Sequence, residues 1–253
     1  MSTLLRLFSG GDVPLFAILT LFPEAIEAYA TTSILGLAQE KKLVSVLPID
    51  FRDFARDRHR TVDDRPFGGG PGMVLKPDPI VRCVEWLEEI HGPFRKFAMC
   101  PTGRVFDRAS AHEMSASLQR RDTETEDRFL FLCGRYEGFD ARLDDCLELE
   151  KISLGNFVLS GGELPALAVC EAVMRLLPGA LGDERSAPED SFEGDGGLDH
   201  PQYTRPRVFR GLPVPDVLLS GDHGRIERWR KERATDVTRK RRPDLTLRDE
   251  SPR

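Results

Sequence analysis

Read as hydrophobic and polar positions, the chain alternates short apolar runs with longer segments of helical periodicity. The runs are LFAILTLF (15–22), LVSVLPI (43–49), KFAMC (96–100), RFLFLC (128–133), LELEKISL (147–154) and FVLS (157–160). Each has the length of a strand, and most are rich in β-branched or aromatic residues, which fits strands buried on both faces. Segments 24–42, 77–90, 110–120 and 139–146 carry helix-like patterns between them. Strands alternating with helices predict an α/β fold: a mainly parallel sheet covered on both sides, with ligands received beyond the carboxyl ends of its strands.

Two segments break this rhythm. The first, DFRDFARDRHRTVDDRPFGGGPG (50–72), places five Arg and five Asp within residues 50–65 and then turns glycine-rich. A loop of that length inside a compact domain is functional or disordered, and an Arg/Asp-dense loop is also the ordinary form of a salt-bridged surface. The second, residues 182–199, is acidic and glycine-rich with few apolar positions, the composition of a flexible linker. Beyond it the pattern predicts a short helix over 216–219 and a longer one over 222–239. Asp222 is positioned as N-cap, and Ile226 and Trp229 share a face. The expected organisation is an extension over 1–14, an α/β domain over 15–181, a linker over 182–199 and a small helical domain over 200–253.

Composition supports a soluble, globular chain of 253 residues, 40% hydrophobic and 31% charged, with no run long enough to span a membrane. The start has no secretory pattern, so a cytoplasmic location is expected. Charge is unevenly placed: residues 200–253 hold 14 Lys and Arg against 8 Asp and Glu, whereas the rest holds 22 against 34. A basic appendage on an acidic body points to nucleic acid, although a solvated charged helix has the same composition. The five cysteines contain no C-x-x-C pair, and Cys100, Cys133 and Cys170 sit in apolar runs as ordinary reduced thiols would.

The stretch VLSGGELPALAVCEAVMRLLPG (158–179) has the order of parts of a phosphate-cradling loop, an apolar run, two glycines and a helix. It lacks the Gly-Lys-Ser/Thr ending of the P-loop and the three glycines of the dinucleotide fold. Its helix opens with Glu163, an anion where a phosphate would sit. Gly161 and Gly162 can equally be a plain helix-start turn.

Five separated blocks carry a resemblance: LTLFPE (19–24), DRHRTVDDRPFGGGPGM (57–73), LCGRYEGFDAR (132–142), GNFVLSGGELPA (155–166), and EDSF with YTRP (189–192, 203–206). Together, in this order, they resemble the bacterial tRNA (guanine-N1)-methyltransferases of the TrmD type, of the SPOUT superfamily. The resemblance implies a mainly parallel sheet with a C-terminal deep trefoil knot, a small α-helical C-terminal domain and a homodimer whose active site is shared between subunits. Periodicity alone predicts an unknotted sheet. The cofactor implied is S-adenosyl-L-methionine. Its binding residues would be Pro101 and Gly103; Gly134, Tyr136, Glu137 and Gly138; and Leu154, Gly155, Asn156, Phe157, Val158, Leu159, Gly161, Gly162 and Pro165. Asp63 and Asp64 would lie on a loop bordering that pocket, and Mg²⁺ is implied as an accessory ion with Glu137 as its contact.

The substrate implied is tRNA with guanine at position 37, held by Asp199, Tyr203, Arg205, Arg225 and Arg228. Guanine N1 becomes nucleophilic only when its proton leaves, so a carboxylate must take it and a cation should stabilise charge on O6. The resemblance gives these tasks to Asp190 and Arg175. From spacing alone, Arg175 pairs with Glu171 on its own helix and Asp190 is one of seven acids in the linker. Two other readings stand beside this one. A non-catalytic RNA-binding module on the same fold predicts tRNA binding without methyl transfer. A dehydrogenase rests on strand and helix alternation alone, and its three-glycine fingerprint is missing where TLFPE follows the first strand.

Overall fold

Five of the six apolar runs form one parallel sheet. In the computed structural model its strands are β1 (Leu15–Thr20), β2 (Ser45–Asp50), β5 (Arg95–Val105), β6 (Arg128–Cys133) and β7 (Glu150–Ser153), in the order β2-β1-β6-β5-β7. The structure describes residues 13–120, 128–182, 190–194 and 196–246. These fall in two units divided between Gly182 and Asp183. Most of the expected extension and residues 183–189 of the expected linker lie outside the described residues.

Alternate side chains along each strand point to opposite faces, and each face has its own core. On one, Phe16, Phe97, Phe129 and Phe131 pack against α1 (Pro23–Ala30), α2 (Ser33–Glu40), α4 (Arg108–Arg120) and α6 (Glu163–Met174). Phe16 stacks on Phe129 with centroids 5.8 Å apart, and Phe97 on Phe131 at 5.4 Å. On the other, Ala17, Leu19, Leu47, Ile49, Leu130 and Leu132 meet α3 (Pro77–His91) and α5 (Arg142–Leu147). The aromatic face is thus filled by four rings from three adjacent strands, and the aliphatic face by shorter side chains under fewer helices.

Several elements differ from the pattern. The helix expected over 24–42 is two helices, because the Thr31 and Thr32 hydroxyls donate back to the Glu27 and Tyr29 carbonyls at 2.7 and 2.8 Å and close the first one. The helix expected over 139–146 begins only at Arg142, since Asp140 is held outside it by its backbone bond to Leu75 O at 3.0 Å. FVLS is not a strand. Phe157, Val158 and Leu159 are exposed in a loop that leaves β7, the sheet edge, and their apolar side chains wall a cavity instead. Strand β5 runs past the expected 96–100, with a register shift against β7 between Met99 and Arg104 that loops out the intervening residues.

Within residues 50–76 the chain forms a 3₁₀ turn (Phe51–Phe54) and a two-residue antiparallel pair, β3 (Asp63–Asp64) with β4 (Val74–Leu75). In the second unit, β8 (Val208–Phe209) and β9 (Leu212–Pro213) make a small hairpin, followed by α7 (Asp216–Leu219), α8 (His223–Arg241) and α9 (Pro243–Thr246). Asp222 caps α8 as the pattern predicts, its Oδ1 accepting from Arg225 N at 3.0 Å. Of the residues expected as linker, 190–194 and 196 form turns and bends and 197–199 run irregularly, with Leu198 tied to α8. The buried Thr238 hydroxyl accepts from Leu198 N at 2.8 Å while donating to Ala234 O at 2.8 Å. Linker composition hid this because the fixing contact comes from 40 residues away. Among the described residues no helix is long and apolar enough to cross a membrane.

Burial raises the thiols of Cys83, Cys133 and Cys170 well above their ordinary range, whereas Cys146 is exposed and Cys100 half-buried. A thiolate is needed for reaction. A thiol reagent at neutral pH should therefore modify Cys146 and Cys100 in the native protein and the other three only after denaturation, as mass spectrometry of the labelled peptides would show.

Candidate functional site

Three loops leave the carboxyl ends of β5, β6 and β7 and converge on one cavity of about 460 Å³. The first is the bulge in β5. There Gly103 lies so close to β7 that a Cβ would stand 2.6 Å from Lys151 O. The second follows β6 through residues 134–141. The third, residues 154–162, returns from β7 to the end of β6, where Gly162 N donates to Gly134 O at 3.0 Å and Gly161 bridges Arg135. A Cβ at Gly162 would lie 2.6 Å from Cys133 Cα, so only glycine lets α6 begin this close to β6. The glycine-rich segment after β3 is fastened to the second loop. Glu137 N donates to Met73 O at 3.0 Å and Leu75 N to Gly138 O at 2.9 Å.

Of the residues that the sequence assigns to a cofactor, Pro101, Gly134, Tyr136, Glu137, Gly138, Leu154, Phe157, Val158, Leu159, Gly161, Gly162 and Pro165 line this cavity. Gly103, Gly155 and Asn156 do not line it, although each belongs to a loop that does. Gly103 shapes the bulge, and Gly155 takes a φ of 146° that turns the chain out of β7. The cavity also takes in Cys100, Thr102 and Arg135, which lie within the loops that the resemblance gives to the cofactor, and Asp140, Asp144, Lys151 and Ser153, which sequence reasoning passed over. Most lie inside or beside the quoted blocks, but their side chains carry no motif of their own.

The charges of the cavity are largely mutually satisfied. Lys151 Nζ sits 2.6 Å from Asp144 Oδ2. Arg142 donates to Asp140 from Nε at 2.8 Å and from its backbone N at 3.0 Å, which holds the Asp140 carboxyl down at about 2. Asp140 is therefore ionised throughout the neutral range. Glu163, at the first position of α6 and 4% exposed, accepts from Thr20 Oγ1 at 2.7 Å and pairs with Arg135 Nη2 at 3.0 Å. Arg135 in turn lies over the Phe22 ring, 4.4 Å from its centroid. Among the described residues, the two cations that line the cavity are thus each matched to a carboxylate, an arrangement that offers no spare positive charge for a phosphate. The apolar walls, backbone edges and fixed carboxylates suit a compact ligand that is uncharged or carries positive charge.

Arg175 is the C-cap of α6 in the first unit, its N–H donating to Glu171 O at 3.0 Å, and Glu171 also takes the Tyr29 hydroxyl. Asp190 opens a turn in the second unit, where its carbonyl accepts from Glu193 N at 3.2 Å. Asp199 is a local organiser: Oδ1 accepts from His200 N at 2.6 Å and Oδ2 from Gln202 Nε2 at 2.9 Å. Tyr203 packs 6.2 Å from Trp229 of α8. Arg205, Arg225 and Arg228 are exposed and form no ion pair among the described residues. Among the described residues no three His, Cys, Asp or Glu side chains group as metal ligands.

Comparison with known proteins matches residues 15–248 to the family described as tRNA (Guanine-1)-methyltransferase TrmD. Proteins named tRNA (guanine-N(1)-)-methyltransferase are similar over most of their length. That of Brevibacillus brevis is 49% identical, covering 90% of this chain and 89% of its own. That of Rhodopirellula baltica is 48% identical, covering 91% and 93%. That of Staphylococcus haemolyticus is 47% identical, covering 90% and 88%.

Removing the Glu163 carboxylate tests the junction at the cavity's base. Glu163→Ala should cost about 3 kcal/mol of stability in chemical denaturation, the lower end for breaking a buried pair because Arg135 keeps partial access to water. Glu163→Gln, which still offers Thr20 an acceptor, should cost less.

Proposed function

The chain belongs to the tRNA (guanine-1)-methyltransferase TrmD family, and from this premise we propose that it methylates N1 of guanine 37 of tRNA with S-adenosyl-L-methionine as donor. The observation that carries the cofactor assignment is the convergence of the three loops on a cavity of about 460 Å³ whose cations are already paired. Its volume lies within the roughly 300–1,000 Å³ of small-molecule sites. When bound, S-adenosylmethionine supplies the electrophilic methyl carbon of its sulfonium. The backbone edges of residues 134–138 and 154–162 would hold the adenine and ribose, and the carboxylates of Glu137 and Asp140 would face the positively charged end.

In this reading Asp190 accepts the N1 proton of guanine, so that the freed electron pair on N1 would form the new N–CH₃ bond as the donor's methyl–sulfur bond breaks and its electron pair stays on sulfur, leaving the neutral thioether, and Arg175 neutralises charge building on O6. Asp190 belongs to the second unit and Arg175 to the first, and in the proposed enzyme Asp190 comes from one subunit and the cofactor loops from the other. A homodimer with the site shared between subunits completes the proposal, and the return of residues 154–162 across β5 to β6 supports a knotted connection there. The described residues offer no ligand cluster for Mg²⁺ beside Glu137, so no step is routed through a metal. The second unit would serve as the tRNA-binding domain, with Asp199 and Tyr203 shaping it and Arg205, Arg225 and Arg228 meeting phosphates. A cytoplasmic location accords with this substrate.

The experiment is incubation with methyl-labelled S-adenosylmethionine and tRNA transcripts carrying guanine or adenine at position 37. Label on the guanine transcript alone is expected, and equal label on both would refute the assigned base. Asp190→Asn should lower kcat about 10²- to 10⁴-fold with cofactor binding intact. Arg175→Ala should lower kcat/KM by about 10²- to 10³-fold.

A further inference from the structure

We propose that the loop of residues 56–67 on the first unit is a tRNA contact surface, separate from the basic helix α8. Arg56, Arg58 and Arg65 hold backbone phosphates there, and Phe67 stacks on an unpaired base. The inference rests on the functional reading above and adds contact residues that the sequence pattern, with five Arg against five Asp, conceals.

The structure sorts those charges. Asp50 is taken by Arg52 and Arg60 at 2.8 and 3.2 Å, and Asp53 by Arg60. Asp57 caps the turn by accepting from His59 N at 2.9 Å and from Thr61 N and Oγ1. Asp64 lies 3.8 Å from Lys76 Nζ, and Asp63 is half-buried on β3. What remains is one-sided. Arg56, Arg58 and Arg65 are exposed and form no ion pair among the described residues. Although Arg and Asp balance over residues 50–65, the loop offers three guanidinium groups to a polyanion, because its acids are largely committed to the fold.

Phe67 adds the second half of the argument. Its side chain is fully exposed, an unusual cost for a ring of that size, and it is followed by Gly68, Gly69 and Gly70, all at positive φ. The tip is anchored beside the cavity: Gly72 packs against the Glu137 side chain, and Met73 O takes Glu137 N. An exposed aromatic flanked by unpaired arginines is the composition of a single-strand RNA contact, in which the ring stacks on a base and the cations track the backbone. Its attachment to the cavity wall places such a contact next to the nucleotide that is to be methylated.

The test uses the full-length protein and an unmodified tRNA transcript with guanine at position 37, with binding measured across a salt series. The triple variant Arg56→Gln, Arg58→Gln, Arg65→Gln should weaken binding at least about tenfold. It should also flatten the log–log salt slope by about 2 to 3, since each lost phosphate contact removes roughly 0.7–0.9. Phe67→Ala should weaken it about fivefold to a hundredfold with little change in slope, and Phe67→Tyr should restore it. All variants should bind S-adenosylmethionine in calorimetry as the wild type does. Wild-type affinity and slope in both the triple variant and Phe67→Ala would overturn the inference, as would an equal loss of S-adenosylmethionine binding. Absence of methyl transfer by the wild-type protein is a separate result that would overturn the functional reading itself.

Discussion

The Glu163 carboxylate sits where three otherwise independent elements end. The end of β1 offers it the Thr20 hydroxyl, the residue pair after β6 offers it Arg135, and its own backbone opens α6. Left alone, a carboxylate this deeply buried would cost several kcal/mol in lost hydration. Here a hydroxyl, a guanidinium and the positive end of a twelve-residue helix share that cost. The same junction demands glycine at positions 161 and 162, because the Arg135 side chain and the Cys133 backbone occupy the space a Cβ would need. The anion at the helix start thus ties the sheet to the returning loop, and the cavity exists because the loop is tied there.

Around this junction the sheet works as a rigid platform. Its aromatic face is locked by the four stacked and edge-on phenylalanines and its aliphatic face by α3 and α5. Loops beyond the strand ends can therefore be irregular without losing position. The β5 bulge, the left-handed Tyr136 at φ 59° and the turn at Gly155 are all conformations a free chain would avoid, and each lies in a loop that borders the cavity. The loop of residues 50–72 extends the same logic outward. Its acids spend themselves on local order, and its base is bonded to residues 137–140, so its exposed tip has a defined place relative to the site.

Much of this was legible in the chain. Near-continuous apolar runs marked five strands, the Asp222 cap marked the start of α8, and the blocks at residues 132–142 and 155–166 marked two of the loops that meet at the cavity. FVLS misled because an apolar run reads the same whether it pairs in a sheet or walls a pocket. Residues 196–199 misled because acidic, glycine-rich composition says nothing of Thr238, whose hydroxyl accepts from Leu198 N. Asp140, Asp144 and Lys151 carried no signal, since each matters through a neighbour rather than through its spacing.

By itself, then, the sequence determined where most of the strands and helices fall and to which family the chain belongs, because these depend on local periodicity and on the order of extended blocks. Tertiary structure alone decided which acids neutralise which bases. Thr20 and Glu163 are 143 residues apart, and Asp50 chooses Arg52 and Arg60 while Arg56, Arg58 and Arg65 stay exposed. Pairing between charges is set by distance in space, which the folded sheet and its loops create and which no one-dimensional pattern contains.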